Sequence, residues 1–453
     1  MAPFADTIAA PASPSGTSAL AVIRASGSLV PALAEAIFGR HPLPRRACHA
    51  DYRDCSGGLI DDVVYVYGQG PDTYTGEDLL EISCHGNPFI SNLLLQDLYA
   101  RGCRPAEPGE FTRRAFLNGR MDLSQAEAVA DLIHARSERA LAAANQQLRG
   151  ALARRLQGAI DRLVNLIAHV EAYLDFPDED LPAEDRILFL DTTRSLCREA
   201  EGLLATDHYG HILRDGLRAV ILGEPNVGKS SLLNRLLGRD RALVSAEPGT
   251  TRDYLEEPVI MGVHCIRLID TAGLNPAPAL LENLGMTQTL ERTAEADLIL
   301  LLLDATRPFP ALPQEALKGV STRKTLVVVN KVDLRPNGPY PVLPPELPSV
   351  FVSALTGAGF AELSDAIVRH AESYRVDIGE ELVAISARHA TALSNARRIL
   401  GDIVARLQVD DVRADELLAS DLRAALASFE EIAGKIDNET ILDQLFSTFC
   451  IGK

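Results

Sequence analysis

Apolar positions divide the chain into stretches of different period. Over residues 1–118, short β-prone runs (Ala19–Arg24, Asp62–Tyr67 and Leu79–Ser83) are separated by clusters of Gly, Pro and Ser, which predicts a mixed α/β region. The texture then changes. Ser124-Gln-Ala-Glu127 reads as a capping box, whose serine and glutamate satisfy orphan backbone donors at a helix start. No proline follows before Asp175, and Leu148, Leu152, Leu156, Ile160, Leu163, Ile167, Val170 and Leu174 recur every three or four residues. One or two long amphipathic helices are expected, about 75 Å in total at ~1.5 Å per residue. Asp175-Phe-Pro177 ends them, and a further helical segment runs from about Ala183 to Leu213.

From Gly216 the period switches to strands alternating with helix-length segments. The β-rich runs are Leu217–Gly223, Glu257–Met261, His264–Asp270, Leu298–Asp304, Thr325–Asn330 and Ser349–Ser353, the pattern of a doubly wound sheet. Leu298–Leu303 (LILLLL) reads as a strand buried on both faces; it is far short of the roughly 20 residues that cross a bilayer. After Tyr374 the chain is helical again, with apolar spacing at Leu382, Ile385, Leu393, Ile399, Ile403 and Leu407. The expected architecture is α/β plus α. An N-terminal α/β domain spans 1–118. A helical domain is built from 119–215 and 375–453. A doubly wound module, 216–374, is inserted in it. Pro336–Pro348 is expected to be a surface loop.

Composition narrows the class. At 453 residues, 47% hydrophobic and 23% charged, the chain has the balance of a soluble globular protein of about three domains. The first 23 residues carry no Lys or Arg, so no targeting segment is read there, and a cytoplasmic location without membrane contact is expected. The seven cysteines (Cys48, Cys55, Cys84, Cys103, Cys197, Cys265 and Cys450) include no C-x-x-C pair, which argues against a zinc site or a disulfide framework. The formal net charge of −18 repels polyanions on average, so contact with RNA needs a local basic cluster, such as Arg113, Arg114 and Arg120, or a partner.

The candidate chemistry lies in the inserted module. Gly223-Glu-Pro-Asn226-Val227-Gly228-Lys229-Ser230 matches G-x-x-x-x-G-K-[ST], between a predicted strand and a predicted helix whose first turn also holds Ser231. Backbone N–H groups there can wrap phosphates, Lys229 can neutralise β- and γ-oxygens, and the Ser230 hydroxyl can ligate Mg²⁺. Ser245-Ala246-Glu247-Pro248-Gly249-Thr250-Thr251 offers Thr251 as a second magnesium ligand in a loop ordered by the γ-phosphate. Asp270-Thr271-Ala272-Gly273 follows a strand, with Asp270 positioned for a magnesium-bound water and the Gly273 amide for the γ-phosphate. Asn330-Lys331-Val-Asp333 ends a later strand; the Asp333 carboxylate can accept from guanine N1–H and the exocyclic amine, a pair adenine lacks. Ser353-Ala354-Leu355 suits a backbone donor to guanine O6. These motifs, in this order, predict a GTPase module. One part is missing: Leu274 stands where Ras-like GTPases carry the water-orienting glutamine.

Further stretches carry a resemblance over essentially the whole length. They are Asp6-Thr-Ile-Ala-Ala10, Ile23-Arg-Ala-Ser-Gly27, Thr75-Gly-Glu-Asp-Leu-Leu-Glu-Ile82, Pro108–Asn118, Leu123–Ala128 and the terminal Phe449-Cys-Ile-Gly-Lys453. With the nucleotide motifs, the chain resembles the bacterial tRNA-modification GTPases of the MnmE (TrmE) family. The resemblance implies a potassium ion in place of an arginine finger. Asn226, Ser245, Glu247 and Thr250 match its ligands, and two facing GTPase modules of a homodimer assemble it. It also implies that Glu282 orients the attacking water; alone, Glu282 reads as a solvated helix-face carboxylate. Two prolines, Pro276 and Pro278, sit in the segment before it. The N-terminal domain resembles a tetrahydrofolate-binding, dimerising fold in which Arg24, Glu81, Arg120 and Lys453 match the folate contacts, the ligand being a 5-formyl or 5,10-methylene form. Cys450 is either a thiol near that pocket or a small core residue. The implied activity is GTP hydrolysis that serves, with the flavoprotein MnmG (GidA), to place an aminomethyl or carboxymethylaminomethyl group on the wobble uridine of certain tRNAs. The tRNA is held largely through that partner.

Two rivals use the same motifs. A ribosome-assembly GTPase of the Era or EngA type predicts an RNA-binding module such as a KH domain, and the acidic helical C-terminal region offers none. A folate-dependent one-carbon transferase with a regulatory GTPase module predicts folate chemistry without the partner.

Overall fold

The structure, a computed structural model, describes residues 6–175, 183–239, 256–270, 295–309, 323–336, 338–376, 384–408, 416–433, 445–447, 449 and 452. They fall into two compact units.

The first unit comprises residues 1–130, 152–160 and 429–453. Its sheet contains β1 (Ile8–Pro11), β2 (Leu20–Ser26), β3 (Ala47–Arg53), β4 (Leu59–Gly68), β5 (Leu79–His85) and β6 (Arg104–Pro105), in the order β3-β4-β5-β2-β1-β6. All pairings are antiparallel except β1 with β6. Burial alternates along β4, as in a strand with one face on a core. That face meets the helices Val30–Phe38 and Pro88–Ala100, where Ile23, Leu80, Ile82, Leu94 and Leu98 are almost wholly buried. The second of these helices starts cleanly because Pro88 sits in its first turn and the Asn87 side chain accepts from the Phe89 amide.

Two expectations are corrected in this unit. The box at the start of the helix Leu123–His134 is formed by Asp122 and Gln125, not by Ser124 and Glu127. The Asp122 carboxylate accepts from the Gln125 amide at 2.8 Å, and the Gln125 side chain accepts from the Asp122 amide at 2.9 Å. Ser124 instead donates its hydroxyl to the Ile432 carbonyl. Arg114 is not part of a surface basic cluster either. It is fully buried and ion-paired to Asp6, Glu77 and Glu110, so its charge is spent inside the fold.

The second unit comprises residues 131–151 and 161–428. Its sheet contains β7 (Leu217–Leu222), β8 (Glu256–Met261), β9 (His264–Asp270), β10 (Leu298–Asp304), β11 (Thr325–Asn330) and β12 (Ser349–Phe351), in the order β12-β11-β10-β7-β9-β8. Only β8 runs antiparallel to its neighbour. Every residue of β10 and β11 is buried, as expected of central parallel strands covered on both faces. The helix Lys229–Arg239 follows β7, and Phe360–Glu372 follows β12.

Between Leu123 and Asp175 the chain forms three helices rather than one or two: Leu123–His134, Glu138–Leu148 and Ala151–Asp175. Ser137 caps the second, and Gly150, at φ 78°, separates it from the third. The segment from Ala183 likewise divides into Ala183–Leu204 and Asp207–Asp215. The helix Ala183–Leu204, before the doubly wound module, packs along Ala387–Leu407, after it. Phe189 and Leu196 on the first and Ala396, Leu400 and Ile403 on the second are nearly solvent-free. The module is thus an insertion in a helical domain. Residues 338–348 form no helix or strand, although Tyr340, Leu343 and Leu347 pack on the core. Among the described residues no helix is long and apolar enough to cross a membrane.

Candidate nucleotide-binding site

β7 delivers the chain into the turn Gly223–Gly228, and the helix that begins at Lys229 leads it away. Val227 anchors this loop in the core at 1% exposure, while Asn226 stands exposed at its crest with a left-handed φ of 66°, which asparagine tolerates. Gly228 has φ 101°, and a Cβ there would lie 2.4 Å from the Asn330 side-chain nitrogen. Only glycine lets the loop pass so close to β11. Ser230 and Ser231 lie exposed in the first helical turn, where unpaired N–H groups and the helix dipole favour an anion. Lys229 Nζ donates to the carbonyls of Gly223 at 2.8 Å and Glu224 at 3.0 Å, so its charge is curled over the loop.

The end of β11 is tied to this loop. Asn330 is buried; its Nδ2 donates to the Val227 carbonyl at 2.8 Å and its Oδ1 accepts from the Ala354 amide at 2.9 Å. Lys331 Nζ donates to the Asn226 carbonyl and to Asp304 Oδ2, each at 2.7 Å. Burial pushes the Asp304 carboxyl up, but hydrogen bonds from Lys331 and Thr306 outweigh it and hold the group below the usual carboxylate range. Ser353 Oγ donates to Asp333 Oδ1 at 2.5 Å. A cavity of about 590 Å³ joins these parts, lined by Gly228, Asn330, Lys331, Asp333, Ala354 and Leu355 among others. The phosphate-loop and base-recognition motifs are therefore brought to one cavity.

Other candidate residues are placed less fully. Asp270 ends β9 in register with Ile221 of β7. Ser245, Ala246, Glu247, Pro248, Gly249, Thr250, Thr251, Thr271, Ala272, Gly273 and Glu282 lie outside the described residues, as do Cys450 and Lys453. Two contributors had little or no signal in the sequence. Asp304 is the polar end of the run LILLLLD, and Arg235, which also lines the cavity, sits among the apolar positions of a helix without a motif of its own.

In the first unit, Arg24 and Glu81 are cross-strand neighbours on β2 and β5. Arg24 Nη2 and Nε both bond Glu81 Oε1, at 2.6 and 3.0 Å, and Nη1 reaches the Gly452 carbonyl at 3.4 Å. The guanidinium lies 5.3 Å from the Tyr74 ring centre and 5.7 Å from that of Phe111. Arg120 Nη1 lies 3.8 Å from Asp72 Oδ1.

Comparison with known proteins now bears on both units. A family model described as the GTP-binding protein TrmE N-terminus matches residues 7–120, and one described as the MnmE helical domain matches residues 123–450. A curated protein of Opitutus terrae named tRNA modification GTPase MnmE is 56% identical, covering 100% of both chains. The chain belongs to the MnmE family. Its Akkermansia muciniphila relative, of the same name, is 42% identical over 99% of each chain. Among solved structures, the G domain of the T. maritima FeoB iron transporter aligns with 34% of this chain and 98% of its own, at 25% identity and a TM-score of 0.25. MnmE membership rests on the full-length relatives and the family models.

Proposed function

We propose that the chain binds GTP in the 590 Å³ cavity and hydrolyses it in the service of tRNA modification. The observation that carries the reading is the Asp333 carboxylate, fixed by Ser353 on the wall of a cavity that ends at the phosphate loop. Its two oxygens suit the N1–H and amino group of guanine. Within Ser353-Ala354-Leu355, the Leu355 amide would supply the donor to O6, since the Ser353 and Ala354 amides donate to the Ala358 carbonyl and Asn330 Oδ1. At the other end, Lys229 would exchange its two carbonyl acceptors for phosphate oxygens, and the loop amides from Asn226 to Ser231 would hold the rest. The names of the full-length relatives support the tRNA role.

The finer reading keeps the family's parts. Ser230 and Thr251 would hold Mg²⁺, and Asn226, Ser245, Glu247 and Thr250 would hold K⁺; these donors are all oxygen, as hard cations require. The Asn226 carbonyl is taken by Lys331, which leaves its exposed side chain for the ion. Bound cations offset charge developing between the β- and γ-phosphates. Glu282 would orient the water that Leu274 cannot. The remaining parts of the reading are a homodimer, facing GTPase modules, the flavoprotein MnmG and the wobble uridine as target.

For the N-terminal unit we propose a tetrahydrofolate derivative as one-carbon source, held by Arg24, Glu81, Arg120 and Lys453. The fit rests on Glu81, whose Oε1 takes both Arg24 bonds and whose Oε2 can meet the guanidine-like edge of a pterin. The partly exposed Tyr74 ring adds flat apolar surface beside it, while Phe111, against the same guanidinium, is fully buried.

The test is GTP hydrolysis by the purified protein in potassium and in sodium at equal ionic strength. Faster turnover in potassium is expected. Equal rates would remove the ion mechanism, and no turnover in either would remove the enzyme. Nucleoside analysis of a deletion strain tests the pathway, since unchanged wobble uridines would favour ribosome assembly.

A further inference from the structure

The base-recognition loop is clamped from outside its own motif. Arg235, on the helix Lys229–Arg239, donates from Nη1 to the carbonyls of Leu355 at 2.8 Å and Ala354 at 3.2 Å. Its guanidinium lies over the Phe360 ring, 5.7 Å from the centre. The loop is shaped to receive it. Gly357 has φ 87°, and a Cβ there would fall 2.2 Å from Arg235 Nη2. On its other side the loop is held by the Ala354 amide to Asn330 and by the Thr356 amide to Ser353 Oγ at 3.1 Å. Leu355, by contrast, is 79% exposed, so its own packing does little to hold it.

We propose that Arg235 is a positioning residue for guanine recognition, which sets the Leu355 amide at the distance guanine O6 requires, the Ser353 and Ala354 amides being taken by the Ala358 carbonyl and the Asn330 side chain. A planar cation can engage two successive carbonyls at once, and in doing so it fixes the peptide plane between them, together with the Leu355 N–H it carries. The clamp also links the two ends of the site, because the helix that carries Arg235 is the helix whose N-terminus faces the phosphates. This inference rests on the guanine reading of the cavity and adds the residue that makes its O6 arm rigid.

The test compares affinities of the full chain for GDP, IDP and 2-aminopurine riboside diphosphate, before and after Arg235→Ala. GDP and IDP both present O6; the 2-aminopurine nucleotide does not. The expected result is about a tenfold loss for GDP and IDP, the worth of one ordered hydrogen bond, with the 2-aminopurine nucleotide nearly unchanged. Arg235→Lys, which keeps the charge but not the planar guanidinium stacked on Phe360, should fall between. Gly357→Ala, which pushes on the same guanidinium from the loop side, should give the same selectivity loss in a chain that retains Arg235. An equal loss for all three nucleotides, or no loss in Arg235→Ala and Gly357→Ala alike, overturns the proposal. If the unaltered chain binds ADP as tightly as GDP, the guanine reading itself is what fails.

Discussion

Asn330 Nδ2 donates to the carbonyl of Val227 at 2.8 Å, and this buried bond, beside the exposed one from Lys331 to the Asn226 carbonyl, joins the motif Asn330–Asp333 to the loop Gly223–Gly228. Both groups are buried, so neither finds water if the other is removed. Asn330→Ala also strips the Ala354 amide of its acceptor. One buried unpaired group costs about 1–3 kcal/mol. The nucleotide-free protein should therefore unfold at a lower urea concentration, and GDP affinity should fall because both ends of the cavity lose their common support. An unchanged midpoint would mean that the two loops are held independently.

Gly228→Ala tests the same junction sterically. The new Cβ must displace the Asn330 side chain from 2.4 Å, at a left-handed φ of 101° that costs an alanine about 1–3 kcal/mol. GDP binding, followed by titration calorimetry, should weaken by at least about tenfold, as the loop amides leave their common focus. Full affinity in this variant would show that the loop reaches its ligand in another shape.

The sheet of the second unit could be read almost to the residue, because central parallel strands such as Leu298–Asp304 and Thr325–Asn330 must be apolar on both faces. The first unit hid more. Ile8–Pro11 is four residues long, too short for a period to show, and Ala47–Arg53 is an edge strand whose alternation is weak because small Cys48 and Ala50 share its inner face with Tyr52. Ser124 looked like a cap because its actual partner, the Ile432 carbonyl, is 308 positions away. The same limit applies at the candidate site. Asn330, Lys331 and Asp333 stand in a motif of fixed spacing. Asp304 and Arg235 act on loops far from them in sequence, and only the fold brings these together.

Asp304 makes stability depend on pH. Its folded carboxyl titrates below the unfolded one, so the unfolded chain binds the proton first as pH falls. The stabilisation is complete above the unfolded value, ordinarily about 4, and is lost as pH drops through the lowered folded value. In Asp304→Asn the acid limb should be shallower, and the stability gap to the unaltered chain should be constant near neutrality and shrink toward pH 3. Urea midpoints across that range measure it. A gap that grows on acidification would contradict the assigned direction.

Glu81→Ala separates the folate reading from the architecture of the first unit. Arg24 would keep the Gly452 carbonyl and its two aromatic neighbours. Glu81 is 38% exposed and its ion pair only partly buried, so stability should change by no more than about 1 kcal/mol. Affinity for 5-formyl-tetrahydrofolate, measured by calorimetry, should drop about tenfold or more, because a hydrogen bond to a charged carboxylate is worth roughly 1.5–3 kcal/mol. Glu81→Gln keeps one acceptor without the charge and should lie between. GDP binding should not change in either variant, since its candidate residues all belong to the other unit. Folate affinity that survives Glu81→Ala would leave the Arg24–Glu81 pair a strand-to-strand tie with no ligand to hold.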